Sequence, residues 1–477
     1  MKQFSQLNTA DHLKGGVPMT RSTSGSNQVS RRSFLKGFGL LAAGGLSGFP
    51  LIIPGRVLGA DAPGKKINMG MIGMGRQMMG SNLKPFLVNP NTRVVAVCDV
   101  DSWRMEEGRK AIEDYYAKQG SAGSRKGCKT YGDFRELLAD KDIDAVMIST
   151  PDHWHAIMAI MAAKAGKDVC CEKPLNLSIG EGRLVADAMK KYGRIFRTDS
   201  EFRSGKAYHR ACELVRNGCI GKLHTIRTGC PKETFAGEAA PDMPVPSELN
   251  YEFWLGPAPK AQYTLNRVHA PHNLNARPGW MRIRDYCDGM ICNWGTHLND
   301  IAQWGNGTDD AGPVEVEATG SYHKGVLWNV LEAFDAKFKY ANGVELLYKM
   351  SHPHVRFEGD KGWVQVDAEN KGLYASSGVS ASSEEILKSE IGPGGEKLLL
   401  QHEKENFIDC VLSRKRPLAD AEVGHRTNSI CHMAQISIQL GGRKLKWNPD
   451  KELFDDEAAN KLLTRLNYRG EWDPAKM

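Results

Sequence analysis

A pair of glycines between an apolar strand and an apolar helix limits the fold of this chain more than any other feature. The buried-strand pattern Ile67–Ile72 runs into Gly73-Met74-Gly75, and an apolar helical stretch follows to about Val88. Glycine has no Cβ, so it allows a tight turn and a close approach of the main chain to a phosphate, which the helix N-terminus attracts. The pattern predicts the first strand, turn and helix of a dinucleotide-binding domain, with Gly73 and Gly75 at the cofactor.

An acidic residue stands where such a domain binds the adenosine ribose. The second apolar strand, Val94–Cys98, ends at Asp99, 24 residues after Gly75. A carboxylate at that point accepts hydrogen bonds from the ribose hydroxyls and repels a 2′-phosphate. We therefore expect NAD as the cofactor rather than NADP. The third glycine of the G-x-G-x-x-G pattern is replaced by Met78, which departs from the fingerprint.

Charge and cysteine content exclude several classes of protein. Residues 1–62 hold seven basic side chains against two aspartates, so they carry +5 of the formal net charge of +7. The near-neutral remainder offers no electrostatic footprint for nucleic acid. The 11 cysteines are scattered and form no C-x-x-C pair, so we predict neither a disulfide framework nor a metal site.

The basic N-terminal segment has the pattern of an export signal. Ser30-Arg31-Arg32-Ser33-Phe34-Leu35-Lys36 matches the twin-arginine motif, and a weakly apolar, glycine-rich run follows it. We expect the twin-arginine translocase to be a partner during export and the mature protein to lie in the periplasm or another exported location.

The chain is too long for one hydrophobic core, since it has 477 residues. Apolar strands alternate with helical patterns up to about Thr198, which favours a parallel sheet with right-handed crossovers. We predict three segments, which are a signal peptide and linker (1–62), an NAD(P)-binding Rossmann domain (63–199) and a C-terminal α/β domain (200–477). Together they define an α/β fold.

Three motifs then follow in order, namely Thr150-Pro151-Asp152-His153-Trp154-His155, Glu172-Lys173-Pro174 and Asn293-Trp294-Gly295-Thr296-His297-Leu298-Asn299-Asp300. From about residue 66 onwards the chain resembles the glucose–fructose oxidoreductase, inositol dehydrogenase and rhizopine catabolism (Gfo/Idh/MocA) family. The resemblance implies that the C-terminal domain has a large open, mainly antiparallel sheet. One face of that sheet forms the substrate wall, and copies of the chain associate through the sheet as a dimer or tetramer. Period-two patterns such as Glu345–Met350 agree with this sheet.

The resemblance also implies catalytic roles for Lys173 and His297 beside the nicotinamide and the substrate. Oxidation of a secondary alcohol needs a base for the hydroxyl proton, and histidine titrates near neutrality. Lysine can position the hydroxyl and stabilise a developing alkoxide. Family dehydrogenases often have an aspartate four residues before this histidine, where this chain has Asn293, which cannot act as a base or tune His297 by charge.

The predicted site has two further groups of residues. The cofactor-binding group consists of Gly73, Gly75, Arg76, Asp99, Thr150, Pro151, His155, Glu172 and Lys173. The substrate-binding group consists of Asn293, Arg203, Trp280, Arg284 and Asp300, whose side chains can bond or stack on a sugar.

These observations predict an exported NAD(P)-dependent oxidoreductase that acts on a secondary hydroxyl of a sugar, sugar derivative or polyol. Because the periplasm has no recycling NAD pool, the enzyme would hold its cofactor tightly and restore its redox state in each cycle. One alternative is an NAD-dependent glycosidase or lyase that oxidises a sugar transiently and eliminates a leaving group. Another is a non-catalytic protein that binds a sugar or a dinucleotide.

Overall fold

The computed structural model describes residues 66–119, 127–238, 241–368, 376–465 and 467–477. The predicted signal segment lies outside the described residues. Both sheets described below belong to one compact unit, Ala62–Met477. Among the described residues, none of the helices combines the length and the apolar character needed to cross a lipid bilayer.

The first half of this unit is built on a six-stranded parallel sheet in the order β3-β2-β1-β4-β5-β6. Its strands are β1 (Ile67–Ile72), β2 (Thr92–Cys98), β3 (Lys129–Tyr131), β4 (Ala145–Ile148), β5 (Asp168–Glu172) and β6 (Phe196–Asp199). Strands β4 and β5 are buried along their whole length. A parallel sheet is covered on both faces, so its central strands are apolar throughout.

Helices connect these strands on both sides of the sheet. They are α1 (Leu83–Val88), which continues a π-helical turn at Met78–Asn82, α2 (Ser102–Lys118), α3 (Phe134–Ala139), α4 (His155–Lys164) and α5 (Ile179–Lys191). Asp101 caps the N-terminus of α2 by accepting a hydrogen bond from Arg104 N. Met78, which replaces the third glycine, is fully buried in the core around β1.

The second half contains a nine-stranded sheet in the order β13-β12-β11-β7-β10-β9-β8-β14-β15. Its strands are β7 (Leu223–Cys230), β8 (Pro313–Tyr322), β9 (Leu331–Tyr340), β10 (Glu345–Met350), β11 (His354–Gly359), β12 (Gly362–Ala368), β13 (Ser376–Ala381), β14 (Leu445–Asn448) and β15 (Leu453–Phe454). All neighbouring pairs are antiparallel except β7 and β10. The predicted fold class is confirmed, whereas association through this sheet stays a prediction.

The helices of the second half are α6 (Lys206–Arg216), α7 (Tyr251–Leu255), α8 (Met290–Asn293), α9 (Gly295–Asn306), α10 (Glu384–Lys388), α11 (Glu403–Ser413), α12 (Ala421–Gln439) and α13 (Glu457–Asn460). Helix α9 packs against α6, α12 and β7, and α12 also packs against α5 of the first half. Helix α9 carries His297, so this packing fixes the histidine relative to the Rossmann sheet.

Candidate functional site

An open cavity of about 1230 Å³ lies at the carboxyl ends of the parallel strands. This edge of the sheet is where dinucleotide-binding folds hold their ligand. The first half supplies most of the lining, namely Ile72, Gly73, Gly75, Arg76, Gln77, Cys98, Asp99, Val100, Arg104, Phe134, Ser149, Thr150, Pro151, Asp152, Trp154, Met158, Glu172 and Lys173. The second half closes the cavity with Phe253, Trp254, His269, Ala276, Pro278, Trp280, Met281 and Asn293.

The glycine turn has the geometry that a bound pyrophosphate requires. Gly73 has φ of 85°, and a Cβ there would stand 2.6 Å from the carbonyl oxygen of Ser149. A Cβ on Gly75 would meet no described atom within 4 Å, so the main chain at Gly75 borders open space. Arg76 lines the same space and forms no ion pair within the described residues. Free backbone N–H groups at a helix start and an unpaired guanidinium fit a pyrophosphate.

Asp99 ties the glycine turn to the end of β2. Its Oδ2 accepts a hydrogen bond of 2.6 Å from Met74 N, and its Oδ1 accepts one of 2.9 Å from Asp101 N. Burial raises the pKa of the Asp99 carboxyl. Each carboxylate oxygen can accept a second hydrogen bond, so Asp99 can still receive the ribose hydroxyls predicted for it.

A segment of the second half is held over the end of the cavity that contains Asp99. Arg104 Nη2 donates to the carbonyl oxygens of Ala270 and Asn273, at 3.2 and 3.0 Å. His269 Nε2 lies 3.0 Å from Asp101 Oδ2. Both contacts hold the segment before Trp280 against helix α2, so they place one wall of the cavity.

Only part of the Thr150–His155 motif lines the cavity. Thr150 and Pro151 line it, but His155 does not. The His155 ring is 1% exposed, and its Nδ1 and Nε2 lie 2.7 and 2.9 Å from the carbonyl oxygens of Pro174 and Thr150. The structure therefore places His155 outside the cavity lining, with main-chain oxygens beside both ring nitrogens, and its cofactor contact stays a prediction. His155 holds the motif against the Glu-Lys-Pro segment.

Asp152 is a cavity residue that our sequence-based list of site residues omitted. It is 3% exposed, and burial raises the pKa of its carboxyl to about 8. The neighbouring His153 lies behind the wall, where burial lowers the pKa of its imidazole to about 3. Its Nε2 is 3.1 Å from the carbonyl oxygen of Trp254. Asp152 is part of the Thr150–His155 motif, so that motif was the sequence signal from which Asp152 could have been predicted as a site residue.

Glu172, Lys173 and Asn293 meet at the other end of the cavity. Glu172 Oε1 accepts a hydrogen bond of 2.8 Å from Asn82 Nδ2. Lys173 Nζ donates a hydrogen bond of 3.2 Å to the main-chain carbonyl of Asn293. All three predicted residues line the cavity, and the Lys173 ammonium group lies against the main chain at Asn293, where the two halves join.

His297 lies deeper than the cavity lining. It is 7% exposed, and its ring stacks on Phe202 with the ring centroids 4.6 Å apart. Burial, with a contribution from the positive charge of Lys173, lowers the imidazole pKa well below its ordinary value. Its Nδ1 is 3.2 Å from Glu201 Oε2. His297 is therefore neutral, and its nearest charged neighbour on the cavity wall is Lys173.

Two of the predicted substrate residues bind each other instead of facing the cavity. Arg203 Nε and Nη2 donate to the two carboxylate oxygens of Asp300, at 2.8 and 2.7 Å, and both side chains are 2% exposed. The guanidinium of Arg284 lies 4.5 Å from the ring centroid of Tyr322 and outside the cavity lining. The structure thus places Arg203, Arg284 and Asp300 outside the cavity lining, so their substrate roles stay predictions, whereas Trp280 lines the cavity.

Two groups of side chains have atoms close enough to share a metal ion. Glu172, Asp199 and Glu201 form one, and Asp288, Cys292 and His432 form the other. In the first, Lys404 Nζ already lies 2.5 Å from Asp199 Oδ2 and supplies a positive charge. In the second, Asp288 Oδ2 is 3.5 Å from His432 Nδ1. Contacts within the protein thus occupy Asp199 in the first group and Asp288 and His432 in the second, and the cysteines are free thiols.

Two family models match the chain. One, described as an oxidoreductase family NAD-binding Rossmann fold, matches residues 67–200. The other, described as an oxidoreductase family C-terminal alpha/beta domain, matches residues 231–474.

Curated relatives match shorter stretches. The chain is 31% identical to a myo-inositol 2-dehydrogenase of Thermotoga maritima over 163 residues, which is 34% of this chain and 44% of that protein. It is 30% identical to a glycosyl hydrolase family 109 protein of Shewanella pealeana over 208 residues, which is 41% of this chain and 44% of that protein. Each alignment spans less than half of the relative.

The fold is similar to that of a crystallised aldose-aldose oxidoreductase from Caulobacter crescentus in complex with glycerol. The TM-score is 0.57 and the sequence identity is 18%. The match covers 80% of this chain and 99% of that chain. At this identity the similarity shows the fold alone.

Proposed function

The chain belongs to the Gfo/Idh/MocA oxidoreductase family and has its dinucleotide-binding Rossmann domain, and on this premise we propose that it oxidises a secondary hydroxyl of a sugar, sugar derivative or polyol. The observation that carries the proposal is the position of Lys173 Nζ at the cavity wall, 3.2 Å from the main-chain oxygen of Asn293, a residue that also lines the cavity. An ammonium group and an amide at that point can bind vicinal hydroxyls of a neutral substrate.

The residues divide the work of alcohol oxidation between them. When bound, the nicotinamide ring supplies the hydride acceptor. Lys173 donates a hydrogen bond to the reacting oxygen and stabilises the developing negative charge. His297 receives the hydroxyl proton, since a neutral imidazole keeps one ring nitrogen free to accept it. Trp280 offers an apolar face to the sugar ring.

NAD is the proposed dinucleotide rather than NADP. The Asp99 carboxylate lies at the end of β2 and lines the cavity. Its negative charge favours ribose hydroxyls and disfavours a 2′-phosphate. Arg104, the nearest arginine in the lining, donates to main-chain carbonyls of the covering segment, which leaves it less available for a phosphate.

We extend the proposal to the location and the cycle of the enzyme. The twin-arginine pattern at residues 30–36 supports export, and an exported enzyme cannot draw on a recycling NAD pool. The enzyme would therefore retain its cofactor and return it to the starting redox state within each cycle. It would do so by oxidising one sugar and reducing another.

Product analysis tests this function directly. Protein loaded with NAD is incubated with a panel of free sugars, polyols and glycosides, and the products are identified by NMR and mass spectrometry. The proposal expects a keto-sugar, or a paired oxidised and reduced sugar, and expects neither with a Lys173→Met variant. If no member of a broad panel changes the redox state of the bound ring, the function is wrong.

The similarity to the glycosyl hydrolase family 109 protein supports a second candidate. Transient oxidation of a sugar carbon acidifies the neighbouring C–H bond, so a glycosidic leaving group can be expelled without the paired carboxylates of ordinary glycosidases. The same product analysis separates the two, since this route releases an aglycone with no net keto-sugar.

A further inference from the structure

Glu201 stands in a position to control the protonation of His297. It begins a short 3-10 turn, Glu201–Ser204, immediately after β6. Its side chain is fully buried, and its Oε2 is 3.2 Å from His297 Nδ1, although the angle falls short of a well-aligned hydrogen bond. Neither atom has another hydrogen-bond partner within the described residues. Two buried polar atoms that face only each other form a pair, because leaving either unpaired is costly.

The surroundings of Glu201 favour its protonated form. Burial is the main cause of its raised pKa, and the neighbouring carboxylates Glu172 and Asp199 add to it. The ammonium groups of Lys173 and Lys404 oppose this effect without reversing it. On the histidine side, burial and the charge of Lys173 lower the pKa of the imidazole. A proton shared by the two groups therefore comes to rest on the carboxyl, which avoids a buried imidazolium.

We infer that Glu201 is the positioning residue of His297 and the store for the proton that leaves the substrate, a role that rests on the proposed function. With Glu201 ionised, Nδ1 of His297 carries the proton and donates to Oε2. Nε2 then has a free lone pair and acts as a base. With Glu201 protonated, the carboxyl donates to Nδ1, and Nε2 carries the proton and acts as an acid.

The proton balance of one oxidation follows from this pair. The hydroxyl proton of the substrate passes to His297 Nε2, and the Nδ1 proton passes to Glu201 Oε2. The C–H hydrogen leaves with its electron pair to the oxidised nicotinamide ring, and the C–O single bond becomes a carbonyl. The reverse reduction returns the hydride to the substrate carbon and the proton to its oxygen. A cycle that oxidises and then reduces therefore needs no proton from bulk solvent at this position.

Glu201 also compensates for the departure at Asn293. The family aspartate at that position would lie on α8, next to the helix α9 that carries the histidine, but this chain has an amide there. The carboxylate comes instead from the end of β6, a strand of the first half. Gln77 at the cavity wall donates to Glu201 Oε1 at 3.4 Å and links the carboxyl to the glycine turn.

Imidazole ¹⁵N NMR tests this inference without a known substrate, so its failure is separable from failure of the proposed function. Full-length protein labelled at histidine is titrated with pH, and the His297 signals are assigned by their loss in a His297→Gln variant. We expect His297 to stay neutral and to change from the Nε2–H to the Nδ1–H tautomer as Glu201 ionises with rising pH.

Two variants test whether Glu201 causes the change of tautomer. In Glu201→Gln, which keeps the size and polarity of the side chain, the pH-dependent change of tautomer should disappear. Glu181→Gln is the matched control, because Glu181 is also buried with a raised pKa but contacts Leu177 N and Tyr468 instead. An imidazolium that forms near neutral pH, or a tautomer in wild type that does not depend on pH, would overturn the inference. If Glu201→Gln does not fold, the wild-type titration alone decides.

Discussion

Lys173 Nζ donates a hydrogen bond to the main-chain oxygen of Asn293, so the last residue before the α8–α9 junction is tied to the segment that follows β5. This contact joins the two halves of the molecule at the cavity wall. Because α9 begins two residues after Asn293 and carries His297, it also fixes the spacing of the two groups that we propose for catalysis.

Replacing Lys173 by methionine should lower kcat by at least about 100-fold, the scale of a positioned acid–base group. Binding of NAD should change little, since Lys173 meets only the end of the cavity. Steady-state rates and calorimetric titration with NAD separate the two effects. Lys164→Met, on the outer surface of α4, is the control. Equal losses of NAD affinity and rate would show that Lys173 mainly builds the cavity.

Replacing Asp99 by asparagine should weaken NAD binding about 10- to 100-fold, because a hydrogen bond to a charged acceptor is worth about 1.5–3 kcal/mol. The affinity for NADP should rise relative to that for NAD, since the charge that repels a 2′-phosphate is gone. Asparagine keeps an acceptor for Met74 N, so the glycine turn should persist. An unchanged ratio of the two dissociation constants would contradict the assignment of Asp99 to the ribose.

Asp152 should make stability depend on pH between about 4 and 8. Its pKa is raised from 3.8 to about 8 in the folded protein, mainly by burial. As pH rises through this window the unfolded chain ionises first, so the folded state loses stability up to about pH 8. Asp152→Asn removes this loss. The Tm of the variant should gain on that of wild type as pH rises from 5 to about 8.

The control for the pH series of Tm values is Asp142→Asn. Asp142 is exposed, so this variant reports the general effect of removing a carboxylate. A constant Tm difference between wild type and Asp152→Asn across the same pH range would show that Asp152 is not held protonated by the fold.

Breaking the Arg203–Asp300 pair should destabilise the fold. Removal of one partner from a buried ion pair costs about 3–5 kcal/mol, so Asp300→Asn should lower Tm by about 3–6 °C in a unit of this size. The KM for substrate should stay within about twofold of wild type at a temperature where the variant is folded, since neither side chain of the pair lines the cavity. A variant with normal Tm and a greatly raised KM would restore the substrate role.

Much of the cofactor site could be predicted from local sequence. The strand–glycine–helix unit at Ile67–Val88 and the acidic end of β2 are defined by short-range patterns, because burial and turn geometry dictate them residue by residue. The Glu-Lys-Pro segment was found in the same way. These residues line the cavity as a consequence of parallel strands ending at one edge.

Local sequence patterns could not show which polar residues face the cavity and which bind other side chains. Sequence does not tell whether Arg203 reaches a ligand or an aspartate 97 residues away. Sequence also did not show that the two ring nitrogens of His155 meet carbonyl oxygens, because only the tertiary fold brings those oxygens together. Glu201 did have a signal, since it follows β6 directly. Its partner His297 and the neighbouring Lys404 come from distant segments.

The cofactor content of the protein tests the central claim most directly. Mature protein is purified from the exported fraction without added nucleotide and then denatured, and any released dinucleotide is identified and quantified by mass spectrometry. The intact protein is challenged with sugars while the absorbance of the reduced ring is followed. The account predicts stoichiometric NAD(H) whose redox state changes with a sugar. Protein that is empty and also fails to bind added NAD would contradict it.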